Sequence, residues 1–184
     1  MTYLDSYPSP LGEIVLASDG KAITGLWFSG QKLFGTTITK KTKEAQLPIF
    51  EETKKWLDVY FSGKNPGQIP FVSFDGGSPF QKEVWNILLA IPYGKTMTYG
   101  EIAKQIESKT GKWASAQAVG GAVGHNPISI LVPCHRVMGA KGNLIGYAGG
   151  IERKIALLKR ERIDVSSFRL PKAQSKIDVR GRRD

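Results

Sequence analysis

Between Lys64 and Gly77 the chain passes Pro66, Gly67, Pro70, Gly76 and Gly77, and no long helix or central strand continues through such a run. This stretch is the predicted linker. It divides the 184 residues into an amino-terminal unit, 1–76, and a second unit, 77–163, followed by a polar, basic tail, 164–184, expected to be poorly ordered. The length allows one domain or two small ones with an ordinary core. Directly after the break stands a strong helix start. Ser78 is the predicted N-cap, Pro79 occupies the first helical position, and Gln81 can close a capping box.

Phe80, Val84, Ile87, Leu88 and Ile91 form the stripe of that helix, which ends at Pro92-Tyr93-Gly94. Thr98 with Glu101 predicts a second helix, with Ile102, Ala103 and Ile106 facing inward. A small-residue helix over Ala114–Val123 follows, and a last helix runs from about Ile151 to Arg162. The middle pair, joined by a Gly-containing turn, resembles a helix-turn-helix. In the first unit, Leu11–Ala17 and Ala22–Phe28 read as strands joined by an Asp19-Gly20 hairpin. Thr36–Lys43 reads as a loop or polar edge strand, and Pro48–Phe61 as a helix stopped by Gly63. The expected fold class is α+β: a small amino-terminal sheet-and-helix domain and a mostly helical carboxy-terminal domain with a helix-turn-helix.

Composition narrows the function. The richest apolar stretch, Trp85–Ile91, is far shorter than the roughly 18 residues of a membrane helix. No secretory signal is expected, since Asp5, Pro8 and Pro10 interrupt the start. With Cys134 alone no internal disulfide can form, so a reducing, cytoplasmic home is the expectation. Cys134, His125 and His135 are the whole Cys/His inventory, so the ligands of a Cys-rich zinc site are lacking. The net charge of +10 is uneven: residues 1–75 balance, whereas 76–150 carry +4 and 151–184 carry +6. That asymmetry suits a polyanionic partner, with a merely solubilising surface as the alternative.

The chemistry centres on Ile130-Leu131-Val132-Pro133-Cys134-His135-Arg136-Val137, an apolar, strand-like run that delivers a lone Cys followed by an imidazole and a guanidinium. Cysteine reacts as the thiolate, and a nearby His or cation raises the thiolate fraction. Neighbours in a strand point to opposite faces, so a Cys–His partnership needs a turn after Pro133 or a bridging water. A buried structural cysteine is the alternative reading. Glycine is also concentrated here, with eleven of 21 between Gly94 and Gly150. Gly120, Gly121 and Gly124 weaken a helix by ~1 kcal/mol each relative to alanine, and close approach of that helix to another surface would explain them.

Pro133-Cys134-His135-Arg136, with Asn126-Pro127 before it and Gly146-Tyr147-Ala148-Gly149-Gly150 after it, closely resembles the O6-alkylguanine-DNA alkyltransferases. The resemblance covers roughly residues 61–161. It implies DNA repair by stoichiometric, irreversible transfer of methyl or other alkyl groups from guanine O6, and from thymine O4 as a further substrate, to Cys134. By the same resemblance, His135 draws the thiol proton through a water, and Glu161 orients and charges that His. Tyr99 donates a hydrogen bond to the departing guanine, and Asn126 ties the small-residue helix to the active-site strand. Arg136 serves structure as well as the DNA surface. Tyr99, Val132, Tyr147, Ala148 and Gly149 would line the pocket for a flipped base, which is inaccessible while stacked.

The small-residue helix is implied to enter the minor groove, with Ala114, Ala118, Gly121 and Ala122 allowing close approach. Gln117 stands where the family usually carries the arginine that fills the vacated stack, so it can fill space there but brings no charge. The implied partner is double-stranded DNA containing alkylated guanine, engaged by a monomer without a cofactor and away from membranes. Two rivals differ in class. A binding-only relative recognises alkylated DNA without transfer, but such proteins replace the cysteine. A helix-turn-helix transcription regulator leaves the Pro-Cys-His-Arg context unexplained.

Overall fold

The computed structural model describes residues 1–170. A four-stranded sheet of order β3-β2-β1-β4 opens the chain, with β1 at Thr2–Ser9, β2 at Gly12–Ser18, β3 at Ile23–Phe28 and β4 at Thr42–Glu44. The Asp19-Gly20 hairpin joins β2 to β3 as expected, with a register slip at Ala17/Ser18. The sequence reading missed β1, which pairs antiparallel with β2 from Tyr3↔Ser18 to Ser9↔Gly12. Asp5, Ser6 and Pro8 blur its period of two. The stretch read as loop or edge strand ends in β4, whose three residues run one position past it to Glu44 and pair parallel to β1. Helix α1, Pro48–Phe61, buries Phe50, Trp56, Leu57, Tyr60 and Phe61.

β3 connects the two halves. At its start, Ile23 pairs with the linker: its N–H donates to the Phe71 carbonyl at 2.9 Å, and its own carbonyl accepts from Ser73 at 3.0 Å. Further along, the Leu26 N–H donates to the Pro127 carbonyl at 3.0 Å and the Leu26 carbonyl accepts from Ser129 at 2.8 Å. The sheet edge therefore holds both the linker and the segment leading to Cys134. The main core is continuous across the halves, uniting Leu26, Phe28 and Tyr60 with Val84, Leu88, Ile102 and Val132.

The second half has helices α2 (Pro79–Leu89), α3 (Tyr99–Thr110), α4 (Ala116–Gly124) and α5 (Ile151–Arg160). Both expected capping boxes form, Ser78 with Gln81 and Thr98 with Glu101. The Trp85 indole N–H donates to the Ala122 carbonyl at 2.9 Å, which pins α4 onto α2. A two-residue parallel pair, β5 (Met97–Thr98) with β6 (Val137–Met138), completes this half.

Four expectations need correction. Ser115 caps α4, so Ala114 precedes the helix and packs toward the core. Ala122 is buried and faces α2 rather than a partner. The apolar run before Cys134 is a set of tight turns, not a strand, because hydrogen bonds from Leu131 to Ser129 and from Val132 to Ile128 curl it. The tail is ordered at its start. Leu144 N–H donates to the Arg169 carbonyl at 2.8 Å, Arg169 N–H to the Gly142 carbonyl at 3.0 Å, and Val165 is buried with Ile155 and Leu158. The rest of the tail expectation falls on residues 171–184, outside the described residues.

The Ser78 cap sits directly after the break, where it sets the entry of α2. The Ser78 N–H donates to Gln81 Oε1 at 2.8 Å and the Gln81 N–H to Ser78 Oγ at 3.2 Å. Ser78→Ala should lower the unfolding free energy by about 0.5–2 kcal/mol in denaturant titrations; an unchanged midpoint would show that the cap is idle.

Candidate active site

Cys134 is delivered by a locked turn. Asn126, at the exit of α4, accepts from the Ile128 N–H at 3.0 Å and donates through Nδ2 to the Val132 carbonyl at 2.9 Å. Between these anchors Ile130 is forced to φ +68°, a left-handed conformation costly for a β-branched side chain. The chain then enters a single 3-10 turn, Cys134–Arg136, in which Arg136 N–H donates to the Pro133 carbonyl at 3.0 Å. That turn is the one the Cys–His partnership required, and it buries Cys134, His135 and Arg136 together.

His135 and Arg136 converge on Glu161, the C-cap residue of α5. Its buried carboxylate accepts from His135 Nε2 at 2.6 Å, from Arg136 Nε at 2.8 Å and Nη2 at 3.0 Å, from the Tyr60 hydroxyl at 2.8 Å and from the Gly94 N–H at 3.1 Å. Arg136 spends its remaining donor group on the Ile91 carbonyl at 2.6 Å. Gly94 is needed where it stands, with φ +74° and an added Cβ only 3.3 Å from the Glu161 carbonyl. Burial alone would raise the Glu161 pKa, but the hydrogen bonds and charges of His135 and Arg136 hold it at about 2. An exposed helix-end glutamate, the common fate of such a residue, is thereby excluded.

Burial pushes the His135 imidazole below its ordinary value. Glu161 opposes that shift, and Arg136 and Lys154 reinforce it. The ring is therefore neutral at pH 7. With Nε2–H directed at Glu161, Nδ1 is the free acceptor, and it is buried with no partner among the protein groups. Burial also pushes the Cys134 thiol up, outweighing Asn126, Lys154 and two backbone N–H groups that favour the thiolate. Lys154 favours the thiolate, as a nearby cation is expected to, but burial outweighs it. At rest the sulfur carries its proton, so reaction requires a base.

Tyr99, the first residue of α3, donates to the Ile145 carbonyl at 3.2 Å. Burial and then the Cys134 charge raise its pKa to about 12. Tyr147 is raised well above its ordinary value by the same two causes in the same order. These two rings flank a groove of about 560 Å³, lined also by Gly120, Gly121, Gly124 and His125 of the α4 region, by Gly146 and Ala148, and by Lys32 and Leu33. Val132 and Gly149 lie behind this lining. Val132 is buried beneath the turn, and a Cβ on Gly149 would stand 2.6 Å from the Tyr147 ring. Gln117 and Ala118 are exposed at the start of α4, and Gly121 is exposed at the groove rim.

Sequence reasoning missed several members. Tyr60 falls within the expected Pro48–Phe61 helix, with no role in the site assigned from sequence. Lys154 is fully buried, and its ammonium donates to the Val137 carbonyl at 2.6 Å and the Ile145 carbonyl at 2.8 Å. Burial pushes its pKa down to about 8 against the opposing pull of Cys134. Its position, three residues after Ile151 and four before Leu158 on the apolar face of α5, was the available signal. Lys32 and Leu33 reach the groove because Lys32 N–H donates to the Ala148 carbonyl at 3.2 Å, and no local pattern announces that contact. Among the described residues, no group of three or more His, Cys, Asp or Glu could hold a metal ion, and no helix is long and apolar enough to cross a membrane.

Residues 79–163 match the family model for the DNA-binding domain of 6-O-methylguanine DNA methyltransferase, and residues 2–69 match the model for its ribonuclease-like domain. The chain is 39% identical over 163 residues to a methylated-DNA–protein-cysteine methyltransferase of Haemophilus influenzae, spanning 88% of this chain and 87% of the relative. It is 43% identical over 168 residues to the protein of that description from Mycobacterium tuberculosis, spanning 88% and 93%. Its structure is similar to that of the Mycobacterium tuberculosis protein in complex with DNA, with a TM-score of 0.76 and 41% identity over 87% of this chain and 92% of that one. The chain belongs to the 6-O-methylguanine DNA methyltransferase family.

Proposed function

We propose that this protein repairs DNA by moving an alkyl group from guanine O6 in duplex DNA onto Cys134, once per chain. The observation that carries the reading is the pairing of a buried, protonated thiol with an adjacent imidazole whose Nε2 is held by Glu161 and whose Nδ1 is free.

The steps balance. His135 Nδ1 takes the Cys134 proton, through a water, and Glu161 stabilises the resulting imidazolium. The buried Lys154 charge favours the thiolate as it forms. The thiolate then attacks the saturated carbon on O6. A C–S bond forms, the C–O bond breaks, and its electron pair passes to the guanine oxygen and ring. Tyr99, whose raised pKa keeps its proton in place, donates to the leaving guanine. The product is a thioether, which no residue of the site is placed to cleave. The base reaches the sulfur by leaving the stack and entering the groove between Tyr99, Tyr147 and the glycine face of α4. The exposed small residues Ala118 and Gly121 allow α4 to approach the DNA backbone closely, and the Lys and Arg excess of residues 76–184 supplies phosphate contacts. Gln117, exposed on that face, fills the vacated stack without charge. The protein works as a monomer.

Intact-mass measurement after incubation with a duplex carrying one O6-methylguanine should show a gain of one methylene per chain, located at Cys134, with no turnover. More methyl transferred than protein present would contradict the suicide mechanism, and unaltered mass with tight binding would favour a binding-only protein.

The pH dependence has a defined sign. Because the His135 pKa in the folded chain lies below its ordinary 6.5, the base stays neutral between pH 8 and about 6.5. Single-turnover transfer should not fall as the pH is lowered across that interval, because protonation of Lys154, whose pKa is pushed down to about 8, favours the thiolate. It should fall on further acidification, as Nδ1 becomes occupied. A rate that already declines between pH 8 and 7 would show that His135 is not the base.

A further inference from the structure

Trp113 is 77% exposed, the most exposed large apolar side chain among the described residues, whereas Trp27, Trp56 and Trp85 are buried. An indole left in water forgoes the burial gain of a large ring, and an exposed aromatic is a frequent anchor of binding surfaces. Its backbone is fixed on both sides. α3 closes at Gly111, at φ +68°, with its N–H donated to the Glu107 carbonyl at 2.8 Å. Lys112 N–H donates to Thr110 Oγ1 at 3.2 Å, and Ser115 Oγ accepts from the Ala118 N–H at 3.0 Å. Ala114 packs against the core, so the turn holds the neighbouring indole outward.

The surroundings suit a polyanion. From Ser108 to Ile151 the sequence holds no Asp or Glu, and Lys112 stands directly before Trp113, while Lys109 is paired with Glu83 at 2.6 Å. Trp113 lies two residues before the N-cap of α4, and the exposed face of that helix runs on through Gln117 to Gly121 at the groove rim.

We propose that Trp113 is a DNA-anchoring residue. Its ring packs against sugars and base edges beyond the start of α4, away from the flipped nucleotide, adding affinity that does not depend on charge. The inference rests on α4 being the face that meets duplex DNA.

The test is a titration of the full chain with undamaged duplex, following tryptophan emission and the anisotropy of labelled DNA in parallel. In the parent, the solvent-exposed component of emission should be quenched as the anisotropy saturates. Trp113→Ala should bind at least about fivefold more weakly, since aromatic contacts with bases contribute ~1–3 kcal/mol. Its dependence on salt should match the parent, because no phosphate-neutralising charge is lost. Phe71→Ala, which removes an exposed aromatic elsewhere (69%), should behave as the parent, and both variants should melt at the parent temperature. Unchanged emission at saturating duplex, or parent-like affinity in Trp113→Ala, would overturn the proposal. Failure of the alkyl-transfer reading shows separately, as an unaltered mass at Cys134.

Discussion

The Glu161 carboxylate is buried, and a buried anion is tolerated only when its lone pairs are filled, because desolvation alone costs several kcal/mol. Here the donors come from three parts of the chain: Tyr60 on α1, Gly94 in the turn before β5, and His135 and Arg136 in the 3-10 turn. Removing any one leaves a buried charge short of partners. This one group therefore ties the amino-terminal helix to the carboxy-terminal half and sets the tautomer and basicity of the imidazole beside Cys134. Stability and chemistry share a single set of hydrogen bonds.

The sheet contributes from the other side. β3 is an edge strand, and an edge leaves N–H and C=O groups unpaired unless something covers them. The linker covers one end at Ile23 and the Pro127–Ser129 segment covers the other at Leu26. Gln31 adds a further tie: its Oε1 accepts from the Phe28 N–H at 2.9 Å and from the Ser129 hydroxyl at 3.3 Å. The strained turn at Ile130 is thus braced by Asn126 within the second half and by β3 from the first. The two halves share a core, and the amino-terminal one supports the geometry that aims Cys134.

Much of this was legible in the chain because the relevant signals are local. The capping residues Ser78, Gln81, Thr98 and Glu101, the α1 bounds and the Asp19-Gly20 hairpin all depend on neighbours within a few residues. The Pro-Cys-His-Arg context pointed to His135 and Glu161 through family resemblance, and the structure joins them at 2.6 Å. What stayed hidden depends on distant partners. Tyr60 lies 101 positions from Glu161, and the contact of Lys32 with Ala148 crosses the two halves. The apolar run before Cys134 suggested a strand, because periodicity cannot show that Asn126 will claim its carbonyls. Ala122 belonged to the expected DNA face, yet it is buried, with the Trp85 indole bonded to its carbonyl.

If Glu161 governs both the fold and the base, its charge is what matters, and Glu161→Gln keeps the shape while removing the charge. The decisive measurement is the single-turnover alkyl-transfer rate of that variant, taken below its melting temperature alongside its duplex affinity. The account predicts a rate lower by about 10²–10⁴-fold, the usual scale of general-base assistance, with affinity for duplex retained. It also predicts a lower melting temperature, because Arg136 loses its buried counter-ion. A variant that transfers at the parent rate would contradict the account and leave Glu161 as a structural brace alone.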